Sequence, residues 1–81
     1  MISCQQYDYI EIACMYRYDI KLTMKSGTLL QAKALDTARN EDNKECIKVM
    51  SNEGERLIVL DDIVLLEATH SNPHFQTVSF T

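Results

Sequence analysis

A small, mainly β domain with one N-terminal helix is the fold that this sequence predicts. Three observations carry it. Short apolar-alternating stretches recur at hairpin spacing from Asp19 onward. Turn residues such as "KSG", "SNEG" and "SNP" separate them. The first 16 residues, in contrast, follow a helical period. With five or six short strands in 81 residues, a two-sheet sandwich is hard to build, so a small, strongly bent antiparallel sheet or barrel is expected.

The opening segment needs the most argument. Tyr and Ile favour strands, yet "DYIEIA" does not alternate cleanly. At helical spacing Tyr7, Ile10 and Cys14 share one side with Ala13 beside them, while Asp8, Glu11 and Met15 share the next. Ser3 and Gln6 fit a capping box, since the cap hydroxyl and the side chain three residues on can satisfy each other's backbone N–H. The pattern predicts a helix over 5–16, docked by its apolar side and leaving Asp8 and Glu11 in solvent.

The strands follow in order, at about 19–25, 28–36, 44–50, 55–60, 63–69 and 75–79. "IKLTMK" turns Ile20, Leu22 and Met24 to one face and Lys21, Thr23 and Lys25 to the other. After the turn at Gly27, "TLLQAKALD" turns Leu30, Ala32 and Ala34 inward. The run Thr37 to Glu45 is polar and is expected as a loop. "CIKVM" turns Ile47 and Val49 inward, "ERLIVL" returns, and Asp61 and Asp62 mark an acidic corner before "IVLLEA". A short last strand after Pro73 completes the set, and one domain over 1–81 is expected.

Composition narrows function. Hydrophobic residues make up 46% and charged residues 25%, as in a folded chain rather than a disordered one. Twelve acids against eight bases give a net charge of -4, which disfavours phosphate contact and suits a basic partner. Lys21, Lys25 and Lys33 could share the outer face of the first hairpin, but lysines there also serve solubility and edge protection. Three cysteines, Cys4, Cys14 and Cys46, are an odd number at no metal spacing, so reduced thiols in a cytoplasmic protein are expected. No signal peptide or membrane span is expected. His70 and His74 flank Pro73, which argues against a helical metal site and leaves them as solvated loop histidines. The chain has only two glycines, Gly27 and Gly54, hence no glycine-rich phosphate loop. Neither a nucleophile motif nor a cofactor motif is present; no catalytic residue, metal or cofactor is expected.

Two stretches resemble a known family. "YDYIEIAC" (Tyr7 to Cys14) and "LTMKSGTLLQAKALD" (Leu22 to Asp36) are similar to the Rho-binding antiterminators, bacterial inhibitors of the transcription termination factor Rho. The resemblance continues more loosely through "LDDI" to about Pro73. It implies an Sm-like barrel preceded by a helix. It also implies a non-catalytic inhibitor, a monomer when free, that binds the N-terminal RNA-binding domain of Rho near its primary RNA site and blocks RNA loading. Tyr7, Asp8 and Glu11, with Gln6 beside them and Asn43 in the polar loop, are the partner-binding residues it implies. Relatives often carry two acids where Gln5 and Gln6 stand here; Glu41, Asp42 and Glu45 in the polar loop can restore some acidity. Two other classes stay open: an Sm-like RNA-binding ring, and an acidic adaptor for a different basic protein.

Overall fold

The computed structural model describes residues 2–80. Helix α1 spans Cys4–Met15. It is followed by β1 (Asp19–Met24), β2 (Leu29–Arg39), β3 (Glu45–Ser51), β4 (Gly54–Val59), a 3₁₀ turn at Leu60–Asp62, β5 (Ile63–Ala68) and β6 (Thr77–Ser79). The six strands form one antiparallel sheet in the order β4-β3-β2-β1-β5-β6.

Both ends of α1 are fixed by local chemistry. At the start, the Ser3 hydroxyl accepts from the Gln6 N–H at 3.1 Å, and the Gln6 side-chain carbonyl accepts from the Ser3 N–H at 2.8 Å. This reciprocal pair satisfies two backbone donors that a helix start would otherwise leave open. At the end, the Tyr18 N–H reaches the Ala13 carbonyl at 2.9 Å and the Arg17 N–H reaches Cys14 at 3.2 Å. That is a Schellman stop, which needs a left-handed residue just past the cap. Arg17 supplies it at φ 54°, where glycine is the usual choice and a side chain costs roughly 1 kcal/mol.

The helix buries Ile10, Ala13 and Cys14 and packs chiefly on β2. These join Ile20, Leu22, Ala34, Ile47, Val49, Ile58, Leu60, Ile63 and Leu66 in one core, closed at the β6 end by Phe75 and Val78. Burying one such aliphatic side chain contributes about 1.5–3 kcal/mol.

The sheet is bent but not closed, which corrects the barrel expectation. Closing it would require β4 to pair with the outer edge of β5. That edge is taken by β6, through Leu65–Ser79, Leu66–Val78 and Glu67–Thr77. A second correction concerns the polar stretch after Asp36. Residues 37–39 are strand, not loop, because Thr37, Ala38 and Arg39 pair with Ile47, Cys46 and Glu45. A bulge between Ala34 and Asp36 shifts the register there, bends β2 and breaks the alternation that sequence reading relied on. The loop proper is 40–44, where the Asn40 carboxamide oxygen accepts from the Asp42 and Lys44 N–H groups at 2.9 and 3.0 Å.

Gln6 has a second attachment: its amide nitrogen donates to the Ser79 carbonyl at 2.8 Å, tying the helix start to β6. Gln6→Ala removes both that bond and half of the capping box. We expect a loss of about 1–2 kcal/mol, read as a melting temperature lower by several degrees. Gln5→Ala, at an exposed neighbour, should leave the melting temperature within a degree or two.

Candidate protein-binding face

The rear of α1 is locked into the core, and this determines what its front presents. Asp8 and Glu11 are exposed, Asp8 turned from the buried Ile10, Ala13 and Cys14 and Glu11 at the margin beside Cys14, while Tyr7 lies half-buried. Tyr7 and Asp8 share an open recess with Ile2, Ser3, Cys4 and Glu45, the first residue of β3. The recess therefore joins the helix to the β2–β3 hairpin.

Arg39 organises that hairpin. Its guanidinium donates to the Asn43 carbonyl at 2.9 Å and pairs with the Glu45 carboxylate at 3.3 Å. Asn43 sits at φ 61°, a left-handed conformation that Asn tolerates better than most residues. The structure thus gathers Tyr7, Asp8 and Glu45 in one recess and links Asn43 to it through Arg39. Glu11 stands further along the helix, in a groove shared with Asp36 on β2. Gln6 differs from the rest: both ends of its carboxamide bond within the chain.

Sequence reasoning missed Arg39 as the organiser of the hairpin. The signal was the cross-strand pair Arg39–Glu45, visible only once the β2–β3 register is known. It also misjudged the histidines. Both are exposed, but they are not simply solvated: His74 stacks on Tyr16 with ring centroids 5.1 Å apart, and His70 meets the edge or face of Tyr18 at 5.0 Å. Asn72 shapes their loop, its carboxamide oxygen accepting from the His74 and Phe75 N–H groups at 2.8 and 3.0 Å. Among the described residues, no group of three or more His, Cys, Asp or Glu could hold a metal ion, and no helix is long and apolar enough to cross a membrane.

The family model described as "Modulator of Rho-dependent transcription termination (ROF)" matches residues 1–80. The chain belongs to the ROF family. It is 35% identical over 77 residues to the protein rof of Escherichia coli strain K12, an alignment covering 95% of this chain and 86% of that protein. The same figures hold for the protein rof of Shigella flexneri. Among solved structures, YaeO of Vibrio cholerae O395, bound to magnesium, is 42% identical with a TM-score of 0.88. That match covers 94% of this chain and 99% of YaeO. As a ROF family member, this chain is a modulator of Rho-dependent transcription termination.

The three thiols occupy unlike places. Cys4 is exposed, whereas Cys14 and Cys46 are buried. Burial pushes the Cys14 thiol up to about 11, helped by the Asp36 carboxylate and opposed by Arg17. A group with a raised folded pKa stabilises the fold below its unfolded value and loses that contribution as pH rises through the folded one. For Cys14 the loss falls between pH 9 and about 11. Alkylation of the native protein at pH 8 should therefore modify Cys4 quickly. Cys14 should react only on unfolding or toward pH 11. Equal labelling of all three at pH 8, by mass spectrometry, would contradict this placement.

Proposed function

We propose that this protein is a non-catalytic inhibitor that binds the N-terminal RNA-binding domain of Rho in the cytoplasm, over or beside the primary RNA site, and blocks RNA loading. The observation that carries the reading is the exposed Asp8–Glu11 face of a helix whose rear is fixed in the core. Tyr7 and Glu45 flank it, and Asn43 lies on the adjoining hairpin.

The physical logic is competition. A site that binds RNA phosphates must be positive. A preformed row of carboxylates can engage the same Arg and Lys groups without ordering a flexible segment first. Pairs at the rim are worth about 0.2–1 kcal/mol each and weaken with salt. A desolvated, hydrogen-bonded pair is different, since truncating one partner costs roughly 2–5 kcal/mol. In this reading Asp8 or Glu11 makes at least one pair of that kind. Tyr7 adds contact area and a hydroxyl. Gln6 acts by holding the helix start in place, and Arg39 by holding Glu45 and Asn43.

A monomer fits the strand edges better than a ring. Sm-like rings pair strand edges between subunits. Here one outer strand, β6, is only three residues long and covers most of β5. A β6 edge would add few ladder bonds to a neighbour, so gel filtration should give one 9.3 kDa chain per particle. An elution volume matching a hexamer or heptamer would favour the RNA-binding ring instead.

Asp8→Lys combined with Glu11→Lys should leave the circular dichroism spectrum unchanged and abolish capture of Rho in a pull-down. Retention of Rho by the folded double variant would remove the helix face from the contact.

A further inference from the structure

The exposed row of α1 continues past Glu11. One turn on stands Met15, 70% exposed, and Tyr16 follows at 54%. Large apolar side chains left this open beside polar groups mark contact surfaces more often than scattered single ones do. Tyr16 stacks on Tyr18 and on His74, with centroids 5.7 and 5.1 Å away, so its ring is held in place rather than free.

Met15 also walls a groove of about 340 Å³ between α1 and β2, lined with Glu11, Cys14, Leu35, Asp36 and Thr37, and with Arg17 at its end. The chemistry of this lining is mixed in a specific way. Cys14, Met15 and Leu35 offer apolar walls, and two carboxylates come from different elements. Asp36 already accepts the Thr37 N–H at 2.8 Å through one oxygen. Neither carboxylate lies within ion-pair distance of a cation: among the described residues the ion pairs are Lys33–Asp19 and Arg39–Glu45. An apolar slot rimmed by two acids fits a long side chain with an apolar stem and a cationic head. Methionine suits such a wall because its thioether adapts to irregular contacts.

Arg17 adds a second clue. It lines the same groove yet pairs with neither acid, and it holds a left-handed position where glycine would sit without strain. Its positive charge at the groove opposes entry of another cation.

We propose that the α1–β2 groove receives an arginine or lysine side chain from the RNA-binding surface of Rho, and that Arg17 lowers the affinity of the slot for it. This rests on the Rho-binding reading and extends that contact along the helix to Met15 and Tyr16. Charge complementarity selects the occupant. The partner surface is basic because it binds RNA, and the groove lies on the same side of α1 as Glu11.

The test is displacement of a labelled RNA oligonucleotide from purified Rho by the full chain and its variants. Asp36→Asn keeps the oxygen that accepts from Thr37 and removes the charge; Met15→Ser removes the apolar wall. Each should weaken displacement roughly three- to fivefold, the range of an exposed ion pair or contact. Arg17→Gly should tighten it by a similar factor, an outcome that misfolding cannot produce. If all three variants stay within about twofold of the parent while the Asp8→Lys, Glu11→Lys protein loses displacement, the groove is not a contact although the helix face is. Weaker displacement by a folded Arg17→Gly protein would equally overturn the proposal. Loss with Asp36→Asn, where an Asp8→Lys protein with Glu11 intact still displaces RNA, would support the groove and remove Asp8 from the contact.

Discussion

The packing of α1 on β2 sets the rotation of the helix, and every exposed group on it depends on that angle. Ile10, Ala13 and Cys14 fill the contact, and none has room to turn outward. The capping box at Ser3 and Gln6 fixes where the helix begins. The Schellman stop at Arg17 and Tyr18 fixes where it ends. With both ends and the rear determined, Asp8, Glu11 and Met15 can only face outward. A preformed face of this kind loses little conformational entropy on binding, so weak rim pairs can add up to useful affinity.

The bulge in β2 has the complementary role. By bending the strand at Leu35 it lets residues 37–39 continue pairing with β3 and carries the 40–44 turn toward the start of the helix. Glu45 then meets Tyr7 and Asp8 in one recess, and Asp36 meets Glu11 in the next groove. Helix and hairpin thereby form one mixed surface, although they are remote in sequence. The chain lacks acids at Gln5 and Gln6, and Gln6 is bonded within the fold. Carboxylates from β2 and β3 bring negative charge to the helix by a different route.

Much of the fold class was legible because periodicity is local. Ile10, Ala13 and Cys14 recur at helical spacing, and Ile20, Leu22 and Ala34 alternate as strand residues. The Ser3–Gln6 box was legible for the same reason. What escaped was non-local. The bulge at Leu35 hides the strand character of 37–39, because polar residues there are held by partners on β3 rather than by their own pattern. Open rather than closed geometry depends on β6 taking the β5 edge, which no single stretch encodes. The stacking of Tyr16 with His74 joins residues 58 positions apart. Arg17 shows the limit most plainly: a left-handed arginine reads as an ordinary surface residue until the backbone is seen.

We propose that this protein and RNA exclude one another on Rho because carboxylates and phosphates seek the same cations. The most direct measurement is equilibrium binding of labelled protein to purified Rho at increasing RNA concentration, repeated across a salt series. Mutually exclusive binding is expected, with the affinity for this protein falling as salt rises. A stable ternary complex of Rho, RNA and this protein, with an affinity indifferent to salt, would contradict it.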